Sequence, residues 1–227
     1  MGGMERTKRF AWVVFAILIL SAIFVFGDSN TVDSQDSHGK VENNLPNSMK
    51  LVWSEEFNDD KNIAKFWTFE IGNGQKKGNP GWGNGELEYY TDKNWYISDG
   101  MLVIEARKEN IKDQYGTYNY TSTRMITQGK VSIKYGRIEA RAKLPVGKGL
   151  WPAIWLLGED INKVGWPSCG EIDIMEYLGR YKDGIWHSTW AWIFRGKGYI
   201  KTVQNTGRIA ERFFTNILHI CIGMGRK

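Results

Sequence analysis

The chain has 227 residues and a formal net charge of +5, and its charged residues are dispersed along the sequence. Dispersed charge forms no basic stripe, which argues against nucleic-acid binding, and two cysteines are too few for a disulfide framework, although a single disulfide is left open. Tryptophan is unusually abundant, with 11 residues. Because indoles fill β-sandwich cores and also stack on sugar rings, abundance alone leaves both roles open.

The first 27 residues have the pattern of a targeting segment. Three basic residues precede an apolar run over residues 10–26. The length of this run lies between a long signal-peptide core and a short membrane span. The pattern predicts export to a secreted or extracytoplasmic location, and it leaves open whether the segment is cleaved after Gly27 or retained as a membrane anchor.

The remainder of the chain divides into a linker and one expected domain. Residues 28–49 are rich in Ser, Asn and Asp and predict a flexible polar linker. Over residues 50–215, short alternating or apolar runs are separated by Gly, Asn, Asp or Pro, which is typical of an all-β sandwich. Expected strands lie at residues 51–53, in a hairpin around the turn 98–100, at 136–144 and at 150–157.

Residues 171–176 read Glu-Ile-Asp-Ile-Met-Glu and place three carboxylates in one predicted strand. Alternate side chains of a strand share a face, so Glu171 and Asp173 point the same way while Glu176 would face the core, where a carboxylate is costly. A β-bulge around Ile174 and Met175 returns Glu176 to the acidic face. Charge crowding raises the proton affinity of at least one acid, as a general acid requires.

Two carboxyls about 5–5.5 Å apart across a glycosidic bond form the site of a retaining glycosidase. The alternative is a solvated acidic strand face, with or without a cation. Neighbouring segments favour the catalytic interpretation.

Five segments of the chain resemble family 16 glycoside hydrolases. They are residues 51–58, 82–91, 135–141, 149–155 and 169–177. The form of the last segment, with Met175 as the extra residue, is typical of laminarinases, the endo-1,3-β-glucanases, and differs from the shorter motif of lichenases. The resemblance covers residues 50–192. It implies a concanavalin-like β-jelly-roll sandwich of two curved antiparallel sheets, with a glucan cleft on the concave face.

The resemblance also implies an activity, the retaining endo-hydrolysis of β-1,3-glucosidic bonds in laminarin-type glucans. Glu171 is then the nucleophile and Glu176 the acid/base, while Asp173 hydrogen-bonds to the nucleophile and tunes it. This catalysis requires no cofactor, although relatives often carry a structural calcium. The implied partner is a β-glucan polysaccharide, bound by a monomeric enzyme.

Six further residues are candidate substrate contacts: Asn84, Arg124, Trp151, Trp155, Trp166 and His187. Asn84 has the alternative role of a turn residue, Arg124 that of a solvated strand charge, and His187 that of a structural histidine. At least one of the three tryptophans is expected to stack on sugar. The charged residues that alternate along 137–141 are expected to form a cross-strand ladder.

The sequence departs from the family pattern at Gly85, where relatives commonly carry a second Asn, and at Ala191, where many carry a second His. Residues 216–227 fit no strand or cap pattern. A back-translation of 218–227, read one nucleotide later, resembles the missing family motif, with Met224-Gly225 forced to read as a Trp codon. We therefore expect an out-of-frame tail and a domain incomplete at its C-terminus, with a natural short variant as the alternative.

Three other functions remain open on the sequence alone. The chain could be another family 16 β-glycan hydrolase or transglycosylase, because specificity depends on cleft loops. It could be a non-catalytic glucan-binding sandwich, although such a module has no need of three clustered acids. It could also be an inactive truncated product.

Overall fold

The structure, a computed structural model, describes residues 18–28, 49–133, 136–145, 147–179, 185–194, 197–205 and 218–224, with side-chain environments over 50–133, 136–145 and 147–179. Over these ranges the chain is built mainly of strands, with α-helices limited to α1 (Ile63–Phe66) and α2 (Ile161–Val164) and with 3₁₀ turns at Gln75–Lys77 and Pro80–Gly83. For the described residues, the prediction of a mainly β structure without long helices is confirmed.

The described residues form sixteen strands. They are β1 (Leu18–Asp28), β2 (Met49–Glu55), β3 (Thr68–Glu70), β4 (Tyr89–Tyr90), β5 (Trp95–Ser98), β6 (Met101–Ile104), β7 (Ile111–Asp113), β8 (Gly116–Tyr118), β9 (Thr121–Ser122), β10 (Arg124–Ile126), β11 (Gly136–Lys143), β12 (Ala153–Leu157), β13 (Glu171–Leu178), β14 (Ile185–Phe194), β15 (Lys197–Asn205) and β16 (Leu218–Met224).

Most of these strands belong to two larger antiparallel sheets. One has the order β16-β11-β1-β6-β5, with β2 also paired to β1, and the other has the order β12-β13-β14-β15. Short pairs form between β3 and β10, between β7 and β8, and in parallel between β4 and β9. The acidic strand β13 therefore lies inside the second sheet, hydrogen-bonded on both edges.

A shared hydrophobic core supports β13 from behind. Strand β11 alternates buried Ile138, Ala140 and Ala142 with more exposed charged residues, as its period-two pattern predicts. These side chains pack in one buried cluster with residues from β6 and β13, namely Leu102, Ile104, Ile174, Met175 and Tyr177. Because the cluster draws on both larger sheets, the position of the acidic strand is fixed by apolar burial, the dominant favourable contribution to folding.

Most predicted strand positions are confirmed, and the largest boundary shift lies at the start of β12. The hairpin of β5 and β6 turns at Asp99 (φ 52°) and Gly100 (φ 67°), the paired positive φ values of a tight hairpin turn. The strand expected from residue 150 instead begins at Ala153. Pro152 lacks an N–H and cannot donate to a sheet ladder, although its carbonyl accepts from the Tyr177 amide at 3.1 Å.

Part of the expected targeting segment forms strand β1. This strand pairs with β11, β2 and β6, and its sequence is rich in the β-branched and aromatic residues that strands favour. Residues 1–17 and most of the expected linker, 29–48, lie outside the described residues. In the described part of the chain, no helix is long and apolar enough to cross a membrane. Export stays a prediction.

The expectation that residues 216–227 contain no strand is wrong. Strand β16 pairs with β11 in antiparallel register from Leu218 to Met224. Its apolar residues recur at every second position, at Leu218, Ile220, Ile222 and Met224, which is a strand period. The out-of-frame origin of this tail stays a prediction, and residues 216, 217 and 225–227 lie outside the described ranges.

Candidate active site

Strand β13 contains the β-bulge that the sequence predicts. Between Asp173 and Glu176 the strand advances three residues while β14 advances two, and the pairing with β12 shifts at the same place. Ile174 is 3% exposed and the adjacent Met175 is 0% exposed. Two consecutive inward side chains are incompatible with a regular strand, so the bulge absorbs the extra residue.

The bulge brings the three acids to one face of the sheet. Their partners on β12 alternate along that strand and therefore share a face; Glu171 pairs with Leu157, Asp173 with Trp155, and Glu176 with Ala153. The Asp173 side chain also hydrogen-bonds with Glu171 and feels the charges of both glutamates. The sequence expectation of an acid triplet facing one way is confirmed.

Asp173 is the acid whose proton affinity rises. Burial, followed by the charges of Glu176 and Glu171, raises the pKa of Asp173 from 3.8 to about 7. Below that pH the Asp173 carboxyl is neutral and donates its hydrogen bond to Glu171. The expected charge crowding thus acts on the middle acid, which places a neutral donor beside the predicted nucleophile.

Trp151 contacts the predicted acid/base directly. Its indole Nε1 donates to Glu176 Oε1 at 3.0 Å. Trp151 lies just before β12, where the carbonyls of Leu150 and Pro152 accept from amides near the end of β13, at 2.9 and 3.1 Å. These backbone bonds fix the segment that carries the indole, so Trp151 orients one oxygen of Glu176.

Trp166 makes the equivalent contact with the predicted nucleophile. Its Nε1 donates to Glu171 Oε2 at 2.7 Å, while the indole remains 66% exposed. The loop that carries Trp166 is closed by a bond from the Gly158 amide to the Gly170 carbonyl. A Cβ at Gly158 would lie 2.1 Å from the Cys169 carbonyl oxygen, so this close approach requires glycine. Trp166 thus presents an open indole face beside Glu171.

Arg124 lies between two indoles. Its guanidinium carbon is 4.4 Å from the Trp82 ring centre and 4.9 Å from that of Trp155, distances at which cation–π attraction operates. Its Nε lies 2.5 Å from Glu70 Oε2, and Lys77 pairs with the other oxygen of Glu70. Because the Arg124 side chain is only 18% exposed, the alternative of a solvated strand charge is wrong. Its contact with sugar stays a prediction.

The remaining candidates are less closely tied to the acids. Asn84 is exposed and its Nδ2 donates to Glu86 Oε1 at 3.3 Å, in the loop after the second 3₁₀ turn. His187 is the β14 partner of Glu176 in the strand register, and its side chain lies outside the described set. Arg137 pairs with Glu139 of the same strand, so this ion pair runs along β11, and the expected cross-strand ladder stays a prediction.

The expected calcium finds no support among the residues described. Within these ranges, no group of three or more His, Cys, Asp or Glu side chains is arranged to hold a metal ion. The structural calcium therefore stays a prediction.

Residues 82–215 match the family of glycosyl hydrolases family 16. The chain belongs to this family. The described acids Glu171, Asp173 and Glu176 lie within the matched segment, as do the indoles that contact them.

Several known proteins are similar to this chain. The laminarinase catalytic domain of Thermotoga maritima is 51% identical over 78% of this chain and 70% of that one, with a TM-score of 0.70. The endo-β-1,3-glucanase of Pyrococcus furiosus is 48% identical over 77% and 67%, with a TM-score of 0.68. The β-glucanase of Rhodothermus marinus is 44% identical over 62% of this chain. The chain spans less than half of the length of the curated relatives that it matches, 18% and 47% in two cases.

Three residues in and around this site, Glu70, Trp82 and Glu88, could not be identified from the sequence. Glu70 is the register partner of Arg124 across β3 and β10, and no local pattern connects such distant segments. Trp82 stacks on Arg124, although only its place in a resembling segment drew attention to it. Glu88 is fully buried, a signal that appears only once the chain is folded.

Proposed function

We propose that this chain is a retaining endo-1,3-β-glucanase that cleaves laminarin-type glucans. The observation that carries the proposal is the bulged strand β13, on which Glu171, Asp173 and Glu176 share a face and each glutamate accepts a hydrogen bond from an indole. A structural acidic face needs no such arrangement. Two carboxyls in fixed orientations, next to a neutral third acid, can serve as the nucleophile and the acid/base of a two-step displacement.

In the first step, a Glu171 oxygen attacks the anomeric carbon while Glu176 gives its proton to the departing glycosidic oxygen. The bond to the leaving sugar breaks as the glycosyl ester to Glu171 forms. In the second step, Glu176 takes a proton from water, the water oxygen bonds to the anomeric carbon, and Glu171 leaves as carboxylate. Protein carboxyls and water suffice, so the reaction calls for no cofactor.

The neighbouring residues have distinct roles in this scheme. Asp173, neutral below a pKa of about 7, donates to Glu171 and holds its attacking carboxylate in place. Trp151 holds Glu176 through its 3.0 Å hydrogen bond. Trp166, with an exposed indole beside Glu171, offers a platform on which a glucose ring stacks. Asn84 and Arg124 are proposed as further substrate contacts.

The β-1,3 specificity is supported by the relatives. The proteins from Thermotoga maritima and Pyrococcus furiosus, about half identical to this chain, are named as a laminarinase and as an endo-β-1,3-glucanase. The same likeness supports a β-jelly-roll in which the two larger sheets form a curved sandwich. A glucan-binding role without catalysis would not require that indoles orient the carboxylates of Glu171 and Glu176.

The test is laminarin hydrolysis by the full chain and by two isosteric variants, Glu171→Gln and Glu176→Gln. Each variant should lose hydrolysis by at least about a hundredfold, because one lacks the nucleophile and the other the acid–base group, while its melting temperature stays close to that of the parent. Glu105→Gln, which changes a carboxylate paired with Arg107 away from the site, is the matched control. Binding of laminarin without hydrolysis by the parent chain would favour a glucan-binding module instead.

We also propose that the protein is exported, on the basis of the basic residues and apolar run at its N-terminus. Expression in a bacterial host with separation of the culture medium, membranes and cytoplasm tests this. Mass determination of the mature N-terminus then distinguishes cleavage after Gly27 from a retained anchor. Protein confined to the cytoplasm would refute export.

A further inference from the structure

A buried carboxyl lies behind the loop that carries Asn84. Glu88 is 0% exposed and precedes strand β4. The Tyr90 hydroxyl oxygen lies 2.9 Å from Glu88 Oε1 and 2.7 Å from Glu86 Oε2. A phenol has a single proton to donate. Two ionised carboxylates therefore cannot both be satisfied by Tyr90, and one of the two contacts requires a proton on the carboxyl.

Glu88 is the carboxyl that carries this proton. Burial, followed by the charge of Glu86, raises the pKa of Glu88 to about 8, and hydrogen bonds from Tyr90 and from the backbone amides of Leu87 and Glu88 offset this only in part. Burial likewise raises the pKa of Tyr90 well above its usual value, with Arg124 as the opposing positive charge. Tyr90 thus stays a neutral donor.

These contacts form a chain of hydrogen bonds with a single direction. The protonated Glu88 donates to the Tyr90 oxygen, Tyr90 donates to Glu86, and Glu86 accepts from the Asn84 amide at 3.3 Å. With its acceptor fixed in this way, the amide of Asn84 is held in one orientation. The Trp82 ring also packs against Tyr90, with 5.9 Å between the two ring centres.

We propose that Glu88 is a positioning residue of the substrate site, which as a neutral acid acts through Tyr90 and Glu86 to hold Asn84 in place for a glucan hydroxyl. This inference rests on the proposed function, because it takes Asn84 to be a substrate contact. Loss of the Glu88 proton leaves two carboxylates competing for one phenol proton, so that Glu86 is repelled and the amide of Asn84 is released.

Laminarin binding should accordingly weaken as the pH rises through about 8. When the hydrogen bond from Asn84 to the glucan is lost or misoriented, Kd should rise roughly fivefold. Binding is best measured in a Glu171→Gln background, where hydrolysis does not consume the ligand. Calorimetric titration with laminarin from about pH 6 to about pH 9 then spans the transition.

Three variants in that background make the test specific. Glu88→Gln stays neutral and keeps a donor for Tyr90, so its Kd should lack the rise near pH 8 that the parent shows, while any effect of Asp173 near pH 7 is common to both. Tyr90→Phe breaks the chain of bonds and should bind about fivefold more weakly at every pH. Glu105→Gln, the same change at a partly exposed carboxylate, should follow the parent. Equal pH profiles for the parent and Glu88→Gln, or parent-like binding by Tyr90→Phe, would overturn the inference.

A second measurement does not depend on laminarin at all. Infrared difference spectra of the parent and Glu88→Gln at neutral pH should show the carbonyl stretch of a protonated carboxylic acid that disappears above about pH 8. A missing band refutes the neutral Glu88 whatever the activity. A band present in a protein that neither binds nor cleaves laminarin would instead refute the proposed function, and with it the role of Glu88 in binding.

Discussion

Asp173→Asn should change how the stability of this protein depends on pH. Asp173 is 6% exposed, and its pKa lies at about 7 in the folded chain against 3.8 for the free residue. The folded state therefore binds the Asp173 proton more tightly than the unfolded state does. Between about pH 4 and about pH 7 the unfolded chain has already released this proton, so the free energy of unfolding falls as the pH rises through that window.

The magnitude follows from the size of the shift. A shift of about three pKa units corresponds to about 4 kcal/mol of unfolding free energy. This amount is fully present below the lower pKa and is lost once the pH passes the upper one. Because the amide introduced by Asp173→Asn has no proton to lose in this range, the variant should lack the dependence that Asp173 gives to the parent.

Urea unfolding at a series of pH values measures the difference directly. The stability of Asp173→Asn relative to the parent should rise by a few kcal/mol from about pH 4 to above pH 7. Asp59→Asn is the matched control, because the pKa of Asp59 is lowered by its hydrogen bonds with Lys61, and it should show no such rise in that window. Parallel profiles for Asp173→Asn and the parent would refute the assignment of the proton to Asp173.

Four further outcomes are expected. With an activated substrate, Glu176→Ala should still form the glycosyl-enzyme and pass its sugar to azide, a route closed to Glu171→Ala, which lacks the nucleophile; identical behaviour of the two variants with azide would overturn the assigned roles. Early products should be β-anomers by proton NMR, since an initial α-anomer would mean inversion. Trp151→Phe removes the N–H that contacts Glu176 and should lower kcat about tenfold, as expected for a hydrogen bond to a charged group; an unchanged kcat would contradict this. The activity of the parent should fall above about pH 7 as Asp173 ionises, and Asp173→Asn should lack that fall.

The local features of the site could be predicted because they depend on strand periodicity. The order of acids and apolar residues in β13 indicated a bulge at Ile174 and Met175, and the register places it there. The alternation of buried and exposed residues along β11 could also be predicted from the sequence. Such patterns need only the rule that alternate strand residues share a face. The indoles that contact Glu171 and Glu176 were named as flanking residues, although their hydrogen bonds were not.

Contacts between distant segments could not be predicted in the same way. Arg124 meets Glu70 only because β10 pairs with β3, and Trp82 reaches Arg124 from a separate loop. The neutral state of Glu88 depends on complete burial, which composition does not reveal. Strand β16 was missed for a different reason, since the alternation of Leu218, Ile220, Ile222 and Met224 was present in the sequence but was not recognised as a strand pattern.

The bulge in β13 has a consequence for insertions and deletions. From Glu171 to Glu176 the strand uses five residue steps where β12 uses four, from Leu157 to Ala153. Deleting Met175 would restore regular alternation and still leave all three acids on one side of the sheet, spanning the same length. The loss would fall on the core, where the Met175 side chain is fully buried. A one-residue change of length flips the side chains of most buried strands to the opposite face, whereas this deletion would keep the three acids on one face and reduce only the volume of the core.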